Sequence, residues 1–544
     1  MNKTREIIRY HEETKHHLNR YARSLGYMDW KNQPNPFRFY ENVKTISLPL
    51  SDEFPKAEYM DLYTRKHTVP QAFSLKNISR FIALALGLSA WKAISGSRWA
   101  LRMNPSSGNL HPTEAYFVLP ATDRTPIGIY HYNALIHGLE QRATISGDIW
   151  ESILNHFQTH GFLAGLSSIF WRDSWKYGER GFRYCNHDIG HALAGLSFSA
   201  SLLGWRVTVL NAMSDKDIES ILGFDRTGWH ELEKEAPELL CFVHTHEKHN
   251  IPRGLPIEIV DGFSNILFNG APNLLSNSRV NWEIIYRTEQ LAEKPATAEK
   301  RFYYENGEFV STSMPSLNAA QIIRQRRSAV SFNPGGQISK RRFMAMLDKT
   351  LPRHLCAPFD VELFDPSIHL FIFVHKVREI LPGLYFFVRN ENHLSEIQQL
   401  AKPNFVWEQI DPEFPLYLLE NGEFRQTAIT LSCHQVIAGD SVFSLGMIAK
   451  FSSVLEIEPF RYRHLFWESG MVGQVLYLEA EAHGLRGTGI GCFFDDAVHD
   501  LLGFKDNAFQ SLYHFTVGDP VEDRRLTTYP PYYHLDEIQF ERKR

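Results

Sequence analysis

The stretch GHALAGLSFSASLLGW, residues 190–205, decides the fold, because a similar pattern returns later in the chain. The second copy is GMVGQVLYLEAEAHGL, residues 470–485. Each copy is typical of a long, almost wholly apolar helix that ends at a glycine. The terminal glycines Gly204 and Gly484 have the same offset in numbering, 280, as the first glycines of the two copies, Gly190 and Gly470. This self-similarity predicts that one fold is present twice.

Two further segments repeat in the same order. ESILGFD and HDLLGFK place Gly223 and Gly503 at the same offset of 280. Upstream, the β-rich run AYFVLP…GIYHYNALIHGL resembles LFIFVH…GLYFFVRNENHL at an offset of 255, so an insertion or deletion separates the blocks. Helices alternate with antiparallel-looking strands, which predicts an α+β fold from a tandem duplication. We expect an N-terminal domain over 1–260, a connector over 261–310 and a C-terminal domain over 311–544.

Composition limits the function classes. A chain of 544 residues with 43% hydrophobic and 22% charged residues is expected to form two soluble globular domains. The net charge of −5 does not indicate the basic surface that a nucleic-acid-binding protein needs. The run FIALALGLSAW is too short to span a bilayer, and the charged N-terminus has no signal-peptide core. Five scattered cysteines without CxxC spacing indicate a reduced, cytoplasmic protein that acts without a membrane.

The second half carries a candidate phosphate site. Arg326, Arg327 and Ser328 stand at a predicted helix end, and two guanidinium groups beside a hydroxyl suit a phosphate monoester. Arg524 and Arg525, near the end of the same half, could reach the same phosphate. The alternative is that each arginine pair is a solvated surface. The corresponding first-half stretch, YTRKHTVPQAF, is basic but lacks the serine.

A glycine-rich segment, GLRGTGIGCFFDD, covers residues 484–496. It fails the dinucleotide fingerprint, because Cys492 takes the third glycine position and no strand is predicted to lead into it. Its backbone amides, unshielded by Cβ atoms, can approach the polar edge of a flat ring. A helix C-cap is the simpler explanation of Gly484, but it leaves the other three glycines unexplained.

The first half has two elements that the second half lacks. One is NPSSGN, residues 104–109, and the other is WKYGERGFRY, whose Lys176 and Tyr177 fall on Glu456 and Ile457 at the 280 offset. The two halves therefore hold complementary pieces. Two histidine strings resemble metal sites, HDIGH at 187–191 and HTHEKH at 244–249, but neither has a convincing ligand set, so no metal is expected.

These motifs together resemble the nitroreductase-like flavoprotein superfamily, and within it the SagB-type (thiazoline/oxazoline) dehydrogenase branch, over nearly the whole chain. The resemblance implies two tandem nitroreductase-like domains that form a single-chain pseudo-dimer, which acts as a monomer with one intact FMN site and one degenerate site. The implied phosphate ligands are Arg326, Arg327, Ser328 and Arg525, with Arg524 beside them. The implied ring and ribityl contacts are the backbone of Gly489, Ile490, Gly491 and Cys492, together with Pro105, Ser106, Ser107 and Asn109.

The same resemblance implies that Lys176 and Tyr177 move the proton that leaves when a hydride is transferred from a substrate carbon to flavin. The alternative is that both residues flank a helix start and pack there. We expect an FMN-dependent oxidoreductase, and within that class a dehydrogenase of a heterocyclic or peptide-derived substrate. An NAD(P)H-dependent nitro or quinone reductase is the second hypothesis, and a non-catalytic flavin-fold partner in a peptide-modifying complex is the third.

Overall fold

The computed structural model describes residues 2–51, 53–65, 68–245, 250–312 and 317–536. Two antiparallel sheets of seven strands organise these residues, and their strands follow the same spatial order. In the first sheet that order is Thr45–Ser47, Gly138–Thr144, Gly128–Asn133, Thr113–Leu119, Gly161–Ser168, Ala236–Thr245, Trp205–Val209. In the second it is Glu408–Asp411, Phe414–Asn421, Gly383–Phe387, Ile368–Val374, Phe443–Lys450, Phe509–Gly518, Arg486–Ile490.

The repeat offsets of the sequence reappear as structural equivalences. Thr113–Leu119 and Ile368–Val374 are the fourth strands of their sheets, and their first residues are related by the 255 offset. The long helices Gly181–Leu202 and Arg461–Ala482 are related by the 280 offset and are almost wholly buried. Each is followed by a glycine with positive φ, Gly204 or Gly484. The predicted α+β fold in two like halves is therefore confirmed.

The remaining helices are shorter than these two. They are Lys3–Glu13, Asp61–Thr64, Leu75–Leu86, Gly147–Phe157, Phe170–Tyr177, Asp215–Leu222, Ile257–Asp261, Glu283–Leu291, Ala319–Gln325, Lys340–Asp348, Leu394–Leu400, Arg425–Leu431, Ile437–Asp440, Ser452–Ile457 and Asp495–Leu502. None of the helices in the described ranges is long and apolar enough to cross a membrane. The proposed connector contains Glu283–Leu291, which packs on Lys3–Glu13, where Arg287 Nη2 lies 2.5 Å from Glu6 Oε2. The domain limits stay a prediction.

Reciprocal ion pairs join the halves. Arg183 of the first half contacts Asp495 of the second at 2.9 Å, and Arg463 of the second contacts Asp215 of the first at 2.7 Å. All four residues are buried, and each aspartate begins a short helix. Buried ion pairs add little net stability, but removing one partner costs about 3–5 kcal/mol because the other charge is left buried. The halves are therefore held in one orientation.

A strand of the second half also pairs with a hairpin of the first half. The strand Thr527–Tyr529 of the second half pairs with Leu88–Ile94, which forms a hairpin with Ser97–Arg102 in the first half. This hairpin leads directly into residues 104–109. Two short pairs form separate two-stranded sheets, Tyr40–Glu41 with Ala271–Pro272 and Ile338–Ser339 with Val377–Arg378.

Candidate active site between the halves

The segment NPSSGN forms a tight turn at the end of the hairpin. Gly108 and Asn109 both have positive φ, 62° and 60°. The side-chain amide of Asn109 donates to the Ala100 carbonyl at 2.9 Å, and the backbone N–H of Ser107 donates to Asp188 Oδ1 at 3.3 Å. Ser106 Oγ accepts from the N–H of His111 at 2.8 Å. The turn therefore rests on the long first-half helix, which carries Asp188.

Lys176 and Tyr177 lie against this turn. They are the last two residues of the helix Phe170–Tyr177, which Gly178 terminates with a φ of 55°, and the long helix Gly181–Leu202 begins shortly after them. A Cβ atom on Gly108 would lie 2.6 Å from the Tyr177 hydroxyl and 3.0 Å from Lys176 Nζ. Only a residue without a side chain leaves room for both groups. The two first-half elements named from the sequence thus meet at one point.

The glycine-rich segment differs from its predicted form. The sequence predicts no strand leading into this segment, but residues Arg486–Ile490 form an edge strand that pairs with Phe509–Gly518. A Cβ atom on Gly489 would collide with the hydroxyl of Tyr513, and one on Gly491 would collide with the Tyr184 ring. Aromatic rings therefore pack directly over this backbone, which only glycine permits. Ile490 is buried, and Cys492 is half-buried just beyond the strand.

Tyr184 comes from the first half, and its hydroxyl donates to the Gly491 carbonyl at 3.0 Å. Its ring lies 4.3 Å from the ring of Tyr177, centroid to centroid. Through this contact, Lys176 and Tyr177 belong to one site with the strand Arg486–Ile490, called the glycine strand below, although the two elements are far apart in the sequence.

Arg326, Arg327 and Ser328 follow the helix Ala319–Gln325. Arg326 Nη2 donates to the carbonyls of Arg102 and Met103, at 3.1 Å each, just ahead of NPSSGN. Arg327 Nη2 donates to the Ser89 carbonyl at 2.7 Å. These contacts cross from the second half to the first.

Tyr477 joins this segment to the glycine strand. Its hydroxyl lies 3.0 Å from Ser328 Oγ and accepts from the N–H of Gly489 at 2.9 Å. Arg326 also stacks over the Tyr477 ring, 5.0 Å from its centroid. One side chain therefore fixes the spacing between the two second-half elements.

The structure does not join Arg524 and Arg525 to this group. Both are exposed, and Arg525 pairs with Asp523 of its own loop at 2.7 Å. A different arginine of the second half lies closer. Arg486, within the glycine-rich segment, pairs with Glu522 at 2.6 Å and interacts with the charges of Arg326 and Arg327.

A cleft of about 830 Å³ opens beside Arg327. This volume falls within the range of about 300–1,000 Å³ that ligand pockets occupy. Both halves line it, including Lys56, Ser89, Met103, Arg324 and Arg327. Its donors therefore suit an anionic group.

The electrostatics of the cleft favour an anion. In the described part of the chain, the hydrogen bonds of Arg326 and Arg327 run to backbone carbonyls rather than carboxylates. Burial, and then the neighbouring Arg326, lower the pKa of Arg327 to about 10. Burial lowers the pKa of Arg326 as well, and its Nε has no partner among the described residues. The negative charge of Glu481 partly opposes both shifts, and a phosphate would add a further negative partner for the two arginines.

The groups near Lys176 are also perturbed. Burial lowers the pKa of Lys176 and raises that of Tyr177 well above its ordinary value. Burial raises the pKa of Asp188 to about 7, against the opposing hydrogen bonds from Ser106 and Ser107. At neutral pH, Tyr177 therefore stays protonated and can donate a hydrogen bond, whereas burial makes Lys176 lose its proton more readily than an exposed lysine does.

The two histidine-containing segments, HDIGH and HTHEKH, lie in different parts of the structure. His187 stacks on Tyr513 with ring centroids 4.3 Å apart, and His191 Nε2 lies 3.2 Å from the Tyr513 hydroxyl. Both histidines thus face the second half across the helix crossing. Among the described residues, no cluster of histidine, cysteine or acidic side chains could hold a metal ion. Residues 246–249 of the other string lie outside the described residues, and His244 lies near the end of a strand.

The pseudo-symmetric counterpart of this site contains ion pairs. At the offset of 255, Pro105 and Ser107 correspond to Asp360 and Glu362. Asp360 pairs with Arg65 and accepts from the Ser197 hydroxyl at 2.6 Å, while Glu362 pairs with Arg253. The carboxylates of the second half thus neutralise the arginines that would face a ligand.

Sequence reasoning missed several site residues. Tyr477 and Asp188 belong to the two long helices of the structure, Arg461–Ala482 and Gly181–Leu202, and Tyr513 lies in a strand. A polar or aromatic side chain inside an otherwise apolar helix was the available signal for Tyr477 and Asp188. For Tyr513 the sequence carried none, because its role depends on the glycine strand beside it.

No family model matches the chain, and no curated protein matches it. Solved structures do. A protein from Anabaena variabilis, provisionally named a nitroreductase, aligns over 95% of this chain and 99% of its own, with a TM-score of 0.68 and 22% identity. A second, from Ralstonia eutropha and named in the same way, covers 42% of this chain and 98% of its own, with a TM-score of 0.27 and 16% identity.

A third comparison is the Escherichia coli microcin synthetase McbBCD complex with truncated pro-MccB17 bound. It covers 45% of this chain and 94% of its own, with a TM-score of 0.26 and 17% identity. Of these three similarities, the first alone is strong enough to define a fold. It extends over both halves, so the chain has the α+β nitroreductase fold, present twice in one polypeptide.

Proposed function

We propose that the chain is an FMN-dependent oxidoreductase with one flavin site per polypeptide, formed between the halves. The observation that carries the proposal is the convergence at one interface of elements from both halves. Gly108 with Lys176 and Tyr177 comes from one half, and Arg326 with the Gly489 strand comes from the other. At the counterpart interface Asp360 pairs with Arg65 and accepts from Ser197, and we infer from these contacts that this interface binds no second cofactor.

The residues present fit FMN in chemical terms. Arg326 and Arg327, with Ser328, would hold the phosphate, since the hydrogen bonds of both arginines run to backbone carbonyls and Arg327 lines the cleft. The Gly489–Cys492 backbone would meet the polar ring edge, and Pro105, Ser106, Ser107 and Asn109 would line the ring and ribityl chain. When bound, FMN supplies a two-electron acceptor for a hydride.

We further propose a SagB-type dehydrogenase that acts on a heterocyclic or peptide-derived substrate. Its support is the position of Lys176 at the Gly108 turn, with a pKa that burial lowers. Lys176 would take the proton from the substrate atom next to the carbon that loses hydride. Tyr177, which stays protonated, would donate a hydrogen bond to the substrate.

Flavin binding tests the proposal directly. The purified protein should take up FMN to one equivalent per chain, measured by absorbance after removal of free flavin. Protein that stays colourless with excess FMN would refute the proposed enzyme, and two equivalents would refute the closed counterpart site. Rapid bleaching of the bound flavin by NADPH would favour the nitro or quinone reductase instead of the dehydrogenase.

Two substitutions in different halves test the shared site. Ser107→Phe and Arg327→Glu should each abolish FMN binding, because each alters one side of the interface. Arg525→Glu is the matched control for charge reversal, since Arg525 pairs with Asp523 in its own exposed loop. If Ser107→Phe or Arg327→Glu keeps full FMN occupancy, the site does not lie between the halves.

A further inference from the structure

The turn at residues 431–435 lies alongside the end of the glycine strand. The Leu431 carbonyl accepts from the N–H of Phe494 at 2.9 Å. The side-chain amide of Gln435 donates to the Cys492 carbonyl at 3.3 Å. Cys433 stands between these two bonded positions, with a left-handed φ of 52°. The geometry therefore holds Cys433 beside Cys492, although the two are far apart in the sequence.

The side chains of Cys433 and Cys492 interact across this contact, and each shifts the pKa of the other. Both are half-buried, and Tyr21, whose phenol lies next to both sulfurs, is 53% exposed. Small reagents can therefore reach this pair from solvent. Two other cysteines, Cys185 and Cys241, are fully buried.

The surroundings make the two sulfurs unequal. The interaction with Cys433, together with the charge of Arg180, lowers the pKa of Cys492 despite its burial. The same interaction and burial raise the pKa of Cys433. Arg180 is fixed over this segment, because it donates to the Gly491 carbonyl at 3.3 Å and pairs with Asp495 at 3.0 Å. A thiol that ionises more readily, next to one that stays protonated, is the arrangement of an attacking and a resolving cysteine.

We propose that Cys433 and Cys492 are a redox-active pair that converts reversibly into an intramolecular disulfide. The oxidant is a low-molecular-weight disulfide of the glutathione class. The Cys492 thiolate attacks one of its sulfurs, forms a mixed disulfide and releases one small thiol. Cys433 then loses its proton and attacks the Cys492 sulfur, which closes the protein disulfide and releases the second small thiol. Two electrons pass from the protein dithiol to the small disulfide.

The reaction needs no flavin, so it is independent of the proposed function. Its structural effect is local. The new bond would tether the end of the Arg486–Ile490 strand to the 431–435 turn, at a place where two hydrogen bonds already hold the segments together.

Mass spectrometry tests the proposal. The purified full-length protein is equilibrated with a mixture of reduced and oxidised glutathione, quenched with acid, alkylated and digested. The expected product is a peptide pair linked through Cys433 and Cys492. The half-buried Cys356 is the internal control and should carry the alkyl group or glutathione but no link to another cysteine. Glutathione on both Cys433 and Cys492 without a link, or two free thiols under conditions that modify Cys356, would overturn the proposal.

Single variants test the assigned roles. Cys433→Ser should accumulate glutathione on Cys492, since the resolving thiol is gone. Cys492→Ser should acquire glutathione on Cys433 more slowly than Cys433→Ser acquires it on Cys492, because burial still raises the pKa of the Cys433 thiol. Equal rates would refute the assignment of Cys492 as the attacking group. Circular dichroism establishes that each variant is folded, and the linkage measured in the unmodified protein stands without either variant.

Discussion

Gly190 and Gly470 meet where the two long buried helices cross, and a Cβ atom on Gly470 would lie 2.9 Å from the Cα of Gly190. The contact is reciprocal. Gly190 also abuts the carbonyl of Trp467, and Gly470 abuts the carbonyl of His187, the equivalent of Trp467 at the 280 offset. Two-fold symmetric dimers place one surface patch against its own copy in this way. Here a single chain makes the same kind of contact with itself.

We expect Gly190→Ala and Gly470→Ala to destabilise the protein to a similar degree. Each new methyl group would meet rigid backbone of the opposite helix, and overpacking of a core costs about 1–3 kcal/mol. Urea unfolding followed by circular dichroism measures the effect. Gly147→Ala is the control, because Gly147 also lies in a helix but has open space around it. Equal midpoints for all three variants would contradict the crossing.

The reciprocal ion pairs predict opposite pH dependences. Despite burial, Arg180 and Arg183 lower the pKa of Asp495 below its ordinary 3.8, so the stability it contributes is lost as the pH falls through that range. Burial raises the pKa of Asp215 despite Arg463, so its native state binds protons more readily and gains stability as the pH falls. On acidification, the difference in unfolding free energy between the unmodified protein and Asp495→Asn should shrink. The corresponding difference for Asp215→Asn should grow.

Unfolding free energies measured in urea at several pH values from neutral to acidic provide this comparison. Both variants are expected to be less stable at neutral pH, because each leaves buried arginine without a full charge partner. The informative quantity is the slope of the unfolding free energy against pH for each variant. Parallel slopes for the two variants would contradict the assigned shifts.

Gly108→Ala should weaken FMN binding at least tenfold. The methyl group would press on the Tyr177 hydroxyl and Lys176 Nζ, at 2.6 and 3.0 Å, and displace them from the turn. Gly96→Ala is the matched control. Gly96 has a positive φ as well, at 83°, but nothing lies near its Cβ position. Fluorescence titration with FMN separates backbone strain, which both variants share, from the steric effect, which only Gly108→Ala has.

Asp360→Asn should destabilise the protein by about 3–5 kcal/mol, because it leaves the side chain of Arg65 buried without its carboxylate. The flavin content should stay at one per chain, since Glu362 and Arg253 still pair at the counterpart site. Thermal unfolding and the ratio of flavin to protein are the measurements. Asp523→Asn, in an exposed loop, should leave the unfolding midpoint unchanged. A second flavin in Asp360→Asn would show that a single carboxylate closes that site.

Lys176→Met should slow reduction of the bound flavin by substrate by about 10²–10⁴-fold, the usual contribution of general acid–base catalysis. FMN content should not change, because the phosphate is assigned to other residues. Lys92→Met is the control: burial also lowers the pKa of Lys92, but its ammonium group donates to the hydroxyl of Thr528, on the strand that pairs with the hairpin. Stopped-flow absorbance with a thiazoline-containing peptide measures the rate. Equal rates for both variants would leave Lys176 without a role in proton transfer.

Much of the architecture follows from local patterns. The two apolar helices, their terminal glycines and the repeated strands depend on neighbouring residues, so their offsets of 280 and 255 are visible in the sequence. The turn at 104–109 is predictable as well, since Gly and Asn favour positive φ. The glycine strand, in contrast, is not predictable from the sequence. Arg486–Ile490 lacks a strand pattern and forms a strand because it pairs with Phe509–Gly518 at the sheet edge.

The sequence by itself determined that one fold occurs twice and that the two copies kept different chemical groups. Only the tertiary structure decided which groups meet. Tyr177 reaches Gly491 through Tyr184, Arg326 reaches the backbone before NPSSGN, and Arg525 remains in its own loop. The physical reason is the crossing of the two long helices. That crossing sets the distances between residues hundreds of positions apart, and nothing in the local sequence records them.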